Sequence, residues 1–151
     1  AAPVGLHCAL RTWAPAPWLP GTVKHTSRAT SRAAVAQSGA DEVIWLDGKG
    51  HFLEGTRSNV FGVRDGVLLT PPLDERILAG VTRTALLEVA SSMGVQSLQA
   101  PMAAGRAYDE LYLSSTLKEL VPILTLDGAQ AAGSGPVGEG LATAFRQLAC
   151  A

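Results

Sequence analysis

Net charge is almost absent from this sequence: 12 Lys and Arg against 13 Asp and Glu leave −1 over 151 residues. A nucleic-acid or anionic-membrane partner would need a basic footprint, and none is expected. Long apolar runs are missing too. No stretch approaches the roughly 20 residues of a membrane helix. The N-terminal stretch lacks the basic flank and continuous apolar segment of a secretory signal. Cysteine is scarce, with only Cys8 and Cys150, at opposite ends and without metal-like spacing; they read as a reduced pair in a cytoplasmic protein. His7, His25 and His51 are scattered, so no metal site is expected. No internal repeat and no long low-complexity segment is present.

The remaining sequence is 47% hydrophobic and 17% charged, enough to bury one good core. Its elements alternate. Val4 to Trp13 reads as a strand, followed by the Pro-punctuated connector Ala14-Pro15-Ala16-Pro17-Trp18-Leu19-Pro20. Ser27 to Gln37 reads as a helix stopped by Gly39. Glu42 to Leu46 and His51 to Glu54 form a hairpin across Asp47-Gly48, and Asn59 to Arg64 and Val67 to Thr70 form another across Asp65-Gly66.

Val81, Ala85, Leu86, Val89, Ala90 and Met93 recur at helical spacing, with Gly94 as the stop, and define a core-facing helix. Strands are expected at Val95 to Leu98, Glu110 to Leu113 and Leu120 to Leu126, with a short helical piece near Met102 to Arg106. A helix from Gly138 to Ala149 closes the chain. Gly133-Ser134-Gly135-Pro136-Val137-Gly138 resembles a phosphate loop only superficially and reads as a flexible lead-in to that helix.

Four segments carry chemistry. Lys24 stands in Gly21-Thr22-Val23-Lys24-His25-Thr26-Ser27-Arg28. Glu54 opens Glu54-Gly55-Thr56-Arg57-Ser58-Asn59. Leu78-Ala79-Gly80-Val81-Thr82-Arg83 leads into the core-facing helix, and Leu113-Ser114-Ser115-Thr116-Leu117-Lys118-Glu119 follows. An isolated lysine is ordinarily a solvated surface residue. One amine, one carboxylate and two hydroxyl-bearing turns in this order are instead what pyridoxal 5'-phosphate requires of a protein. A helix start such as Gly80-Val81-Thr82 leaves backbone N–H groups for a phosphate.

This ordered set resembles the class IV aminotransferases, a family that includes branched-chain and D-amino-acid transaminases and 4-amino-4-deoxychorismate lyase. The resemblance runs from about Val4 to Phe145 and implies an α/β domain with a curved mixed sheet and flanking helices. It assigns Lys24 as the catalytic amine, bonded to the cofactor aldehyde and later moving protons at the substrate carbon. It places Glu54 at the pyridine nitrogen, Leu78 against the ring, and Gly80, Val81, Thr82, Ser115 and Thr116 around the phosphate. Arg28, Arg57 and Leu117 fall at the substrate. Ala79 replaces the proline usual in the family, and Arg57 replaces a glycine.

Lys24-His25-x-x-Arg28 is similar to the lyase group, and no Tyr precedes Tyr108 where branched-chain transaminases place one. Ser114-Ser115-Thr116 is more similar to transaminases. The reading leans to the lyase, which forms 4-aminobenzoate and pyruvate for folate synthesis, with a branched-chain or D-amino-acid transaminase as the alternative. Residues 1–151 are expected to form a single cofactor-binding domain. The family's small N-terminal domain is expected as a partner, the full-length form as a homodimer, and the substrate as a small molecule. A catalytically silent isolated domain is the further alternative.

Overall fold

Hydrogen bonding closes six strands into a ring, and the site grows from one end of it. The computed structural model describes residues 4–13 and 20–150. In chain order the elements are β1 (Leu6–Thr12), α1 (Ala29–Ser38), β2 (Glu42–Leu46), β3 (Phe52–Gly55), β4 (Asn59–Arg64), β5 (Val67–Thr70), α2 (Val81–Ser92), β6 (Ser97–Gln99), β7 (Glu110–Ser115), β8 (Glu119–Leu126), β9 (Ala129–Gln130) and α3 (Pro136–Ala149). The strand order is β3-β2-β1-β8-β7-β4-β5-β6, with β9 on β8, and a further β3–β4 pairing closes the first six. β1 runs parallel to β2 and β8, whereas β2–β3, β3–β4, β4–β7 and β7–β8 are antiparallel. This is the expected mixed, curved sheet.

Side-chain alternation on these strands builds two cores. Cys8, Ile44, Phe52, Val60, Leu113 and Ile123, one from each ring strand, cluster together. Phe61, Val63, Leu68 and Tyr112 point to the other face, where Leu86, Val89 and Ala90 of α2 and Leu141 of α3 cover them. The apolar stripe of α2 is therefore real, but its ends are not buried. Val81 is 83% and Met93 44% exposed, while Arg83 is 2% exposed. Arg83 donates from Nη2 to the Pro71 carbonyl and to Gln99 Oε1, which lets a guanidinium occupy a place the hydrophobic pattern could not identify.

The Asp65-Gly66 hairpin forms as expected, with φ of 50° and 76°. The turn after β2 is built differently. Asp47 Oδ1 accepts the N–H groups of Lys49 and His51, and Gly50, not Gly48, takes the left-handed conformation at φ 78°. No helix forms at Met102 to Arg106. Phe52 N–H donates to the Met102 carbonyl and Ala103 bridges His51, so the segment is spent pairing with β3. The strand expected at Val95 to Leu98 lies at Ser97–Gln99.

The lead-in to α3 is tethered rather than flexible. Buried Glu110 accepts from Val137 and Gly138 N–H at 3.0 and 2.8 Å and from the Tyr112 hydroxyl at 2.7 Å. A carboxylate thus sits at the start of α3, where the helix dipole favours it. The connector from Ala14 to Leu19 lies outside the described residues.

Candidate functional site

The site begins with a row of residues across three strands. Glu54 on β3 pairs with Asn59 on β4, and Asn59 pairs with Ser114 on β7. The turn 55–58 and the turn 115–118 therefore leave the sheet at the same end.

The first turn is fixed from beneath by Glu42, at 4% exposure. Its Oε1 accepts the N–H groups of Val43 and Thr56 at 3.0 and 3.1 Å and the Thr56 hydroxyl; its Oε2 accepts the Ser58 hydroxyl at 3.3 Å. Arg57 Nε lies 4.0 Å away. Gly55 has no room for a side chain, since a Cβ there would collide with Ser58 Oγ.

Two side chains of the row hold the entry to α2. Leu78 N–H donates to Glu54 Oε2 at 3.0 Å, and Asn59 Nδ2 donates to the Leu78 carbonyl at 3.0 Å. Asn59 Oδ1 also packs against Gly80, where it would clash with a Cβ. Burial pushes the Glu54 carboxyl up to about 7, against the smaller opposing effect of the Leu78 N–H. Among the described residues no cation pairs with Glu54. No side chain caps the N terminus of α2, so its first N–H groups point outward unclaimed by any cap. Thr82 is buried in that first turn, and Ser114 Oγ is buried without a hydrogen-bond partner.

Lys24 reaches this region along a segment packed on the same loop. Gly21 abuts the Arg76 backbone so closely that a Cβ would collide with its carbonyl group. Lys24 follows three residues later, and Leu78 lies two residues beyond Arg76. Six of the expected residues, Lys24, Arg28, Arg57, Ser115, Thr116 and Leu117, line one cavity of about 600 Å³. Glu54, Leu78, Gly80, Val81 and Thr82 do not line it. Glu54, Leu78 and Gly80 form a neighbouring locus around Asn59, and Val81 and Thr82 follow in the chain.

Four contributors escaped the sequence reading: Glu42, Asn59, Arg32 and Lys118. Glu42 looked like the polar start of an apolar strand. Arg32 could have been found from its i+4 spacing to Arg28, which puts both on one helix face. Asn59 and Lys118 carry no local signal, because what they do depends on contacts across strands and turns.

The residues present fit a phosphorylated pyridine cofactor by their donor set. A buried carboxylate without a cation suits a protonated ring nitrogen, an uncapped helix start suits a phosphate, and Lys24 supplies an amine.

Comparison with known proteins gives the class. Residues 4–126 match the family model described as amino-transferase class IV, and the chain belongs to that family. A putative branched-chain-amino-acid aminotransferase of Methanocaldococcus jannaschii is 40% identical over 93 residues, covering 60% of this chain and 32% of that protein. The branched-chain aminotransferase of Thermoproteus uzoniensis, solved with norvaline, superposes at a TM-score of 0.86 with 32% identity, over 95% of this chain and 51% of that one. The branched-chain amino acid aminotransferase of Thermobaculum terrenum, solved in its PLP form, gives 0.85 and 26% identity over 97% and 52%. The chain thus spans about a third of the curated relative and about half of each solved chain.

Proposed function

We propose that this chain is the cofactor-binding part of a pyridoxal-phosphate-dependent aminotransferase acting on amino acids of the branched-chain kind. The observation that carries the reading is Glu54: a largely buried carboxylate held by one backbone N–H, without a cation, in a chain whose relatives are named branched-chain aminotransferases. The lyase expected from Lys24-His25-x-x-Arg28 gains no support from those relatives, and folate synthesis is not proposed.

Bound pyridoxal phosphate supplies an electron sink for bonds at the substrate α-carbon. In this chain Lys24 Nζ would hold the cofactor aldehyde and would be the group that moves the substrate's α-proton. Glu54 would hold a proton on the ring nitrogen, and Leu78, fixed at both its N–H and its carbonyl, would pack beside the ring. Gly80, Val81 and Thr82 would offer N–H groups to the phosphate, with hydroxyls from Ser115 and Thr116. Arg28, Arg57 and Leu117 face the substrate. A small N-terminal domain and a second copy of the full-length protein complete the enclosure. Exposure of Val81 at 83% and Leu117 at 92% supports that part of the reading.

Borohydride reduction of the cofactor-loaded chain, followed by peptide mapping, tests the assignment. The label is expected at Lys24 alone. A label at Lys49 or Lys118 overturns it, and a chain that takes up no cofactor is the catalytically silent domain.

A further inference from the structure

The loop between β5 and α2 is tied down at Arg76 and again at Leu78. Arg76 Nη1 donates to Asp47 Oδ2 at 3.2 Å, in the turn that leads into β3. Leu78 N–H donates to Glu54 Oε2 at 3.0 Å, on β3 itself. Ile77, between them, is 1% exposed. This stretch of the loop therefore lies along β3, held near both ends of that strand. Asp47 is a firm anchor: its Oδ1 accepts the Lys49 and His51 N–H groups, and its Oδ2 also meets His51 Nδ1 at 3.1 Å.

An arginine suits this place. Its Nε donates to Asp74 Oδ1 at 3.0 Å and its Nη2 to Asp74 Oδ2, so one planar guanidinium holds Asp74 and Asp47 together. Glu75, bracketed by Asp74 and Arg76, stands at φ 71°. An L side chain keeps that left-handed backbone only where its surroundings fix it. The Arg76 backbone also receives Gly21, where a Cβ would collide with the Arg76 carbonyl. Val23 N–H donates to the Pro20 carbonyl at 3.1 Å, folding 20–23 into a turn at that contact, and Lys24 is the next residue.

We propose that Arg76 is a positioning residue that, braced on Asp47, fixes the Lys24 segment and the Leu78 contact to Glu54 relative to each other. Lys24 lines a cavity that Glu54 does not line, so the spacing of the two is set through a shared support. Under the proposed function the amine and the carboxylate must meet one rigid ring at different positions, and a slack loop would let them drift apart. What Arg76 serves rests on that reading; the tie itself does not.

Amide hydrogen exchange in the cofactor-free 151-residue chain tests the tie. Arg76→Met is expected to speed exchange at both Leu78 and Val23 about tenfold, with the amides of the β4–β7 pairing unchanged. Arg76→Lys keeps a cation for Asp47 and should recover part of the protection. Acceleration at neither amide, at only one of them, or equally throughout the chain overturns the positioning role, as does a Lys variant no better than Met. Pyridoxal phosphate is then added to each chain and visible absorbance is read. Arg76→Met should need about tenfold more cofactor than the parent for equal absorbance, and an equal need overturns the role at the site. A parent chain without absorbance refutes the aminotransferase reading, while the exchange result still decides the tie.

Discussion

Replacing Glu54 with Gln should make the cofactor-free chain more stable at neutral and alkaline pH, and the size of the gain can be worked out. In the folded chain burial holds the Glu54 carboxyl at about 7, against an ordinary value of 4.5. The group's folded-state pKa is raised, so the folded chain binds the proton more tightly than the unfolded chain does. Below pH 4.5 both states are protonated and Glu54 costs nothing. Between 4.5 and 7 the unfolded chain ionises first and stability falls; above 7 the full penalty is present. At about 1.36 kcal/mol per pH unit the penalty is at most about 3.5 kcal/mol. A Gln side chain keeps an oxygen for the Leu78 N–H but has no charge to desolvate.

Urea unfolding of parent and variant across roughly pH 4.5 to 8.5 measures the difference. The variant should match the parent at the acid end and exceed it progressively up to neutrality, with a plateau above about pH 7. Other titrating groups cancel in the comparison. A stability difference that is the same at both ends of the range would refute the reasoning, since Glu54 would then be an ordinary carboxylate. Pyridoxal phosphate should reverse the order: the parent gains an ion pair with the ring nitrogen that the variant cannot form. In the full-length enzyme the same substitution is expected to lower kcat by orders of magnitude with the cofactor retained.

Two further outcomes test the frame around the site. Glu110→Ala removes the acceptor for three donors, two of them the first N–H groups of α3, and should cost about 3–5 kcal/mol in urea unfolding; a loss below about 1 kcal/mol would mean α3 is anchored by its apolar face alone. Burial pushes the Cys8 thiol up to about 12, while Cys150 is exposed, so a thiol reagent at about pH 8 should modify one group per native chain and two in urea. Rapid native labelling of both would show that the strand core around Cys8 opens.

Local chemistry made most of the fold legible. Asp65-Gly66 dictates a turn with two positive φ angles, and β4 and β5 follow at the expected residues. The periodic stripe over α2 gave the helix and its buried Leu86, Val89 and Ala90. Failures arise where a distant partner decides. Val81 satisfies the period but starts the helix on its open side, and Arg83 is buried only because Pro71 and Gln99 lie within reach. Met102 to Arg106 has helix-forming residues, yet β3 takes its backbone groups. Within the candidate site, motif order pointed to Lys24, Glu54, Thr82 and Thr116. It could not show that Lys24 and Thr116 line one cavity that Glu54 and Thr82 do not line, because that depends on contacts between distant elements.

That division bears on the chemistry. Among the described residues Glu54 is a carboxylate without a cation, and Lys24, Arg28, Arg32 and Lys118 are cations without a carboxylate, all at one end of the same sheet. The cations are exposed and solvated, so leaving them unpaired costs the free chain little, whereas the largely buried Glu54 carboxylate is penalised when it ionises. Glu54 is held by the Leu78 N–H, whose carbonyl Asn59 holds in turn, while the cations line a cavity that Glu54 does not line. Under the proposed function Glu54 is kept for a protonated ring nitrogen, and a substitution beside it tests this. Asn59→Asp would place a second carboxylate in the row, replacing the donor to the Leu78 carbonyl with an acceptor. Glu54 should then titrate still higher and cofactor uptake should weaken, with the cavity wall left in place because Asn59 does not line it.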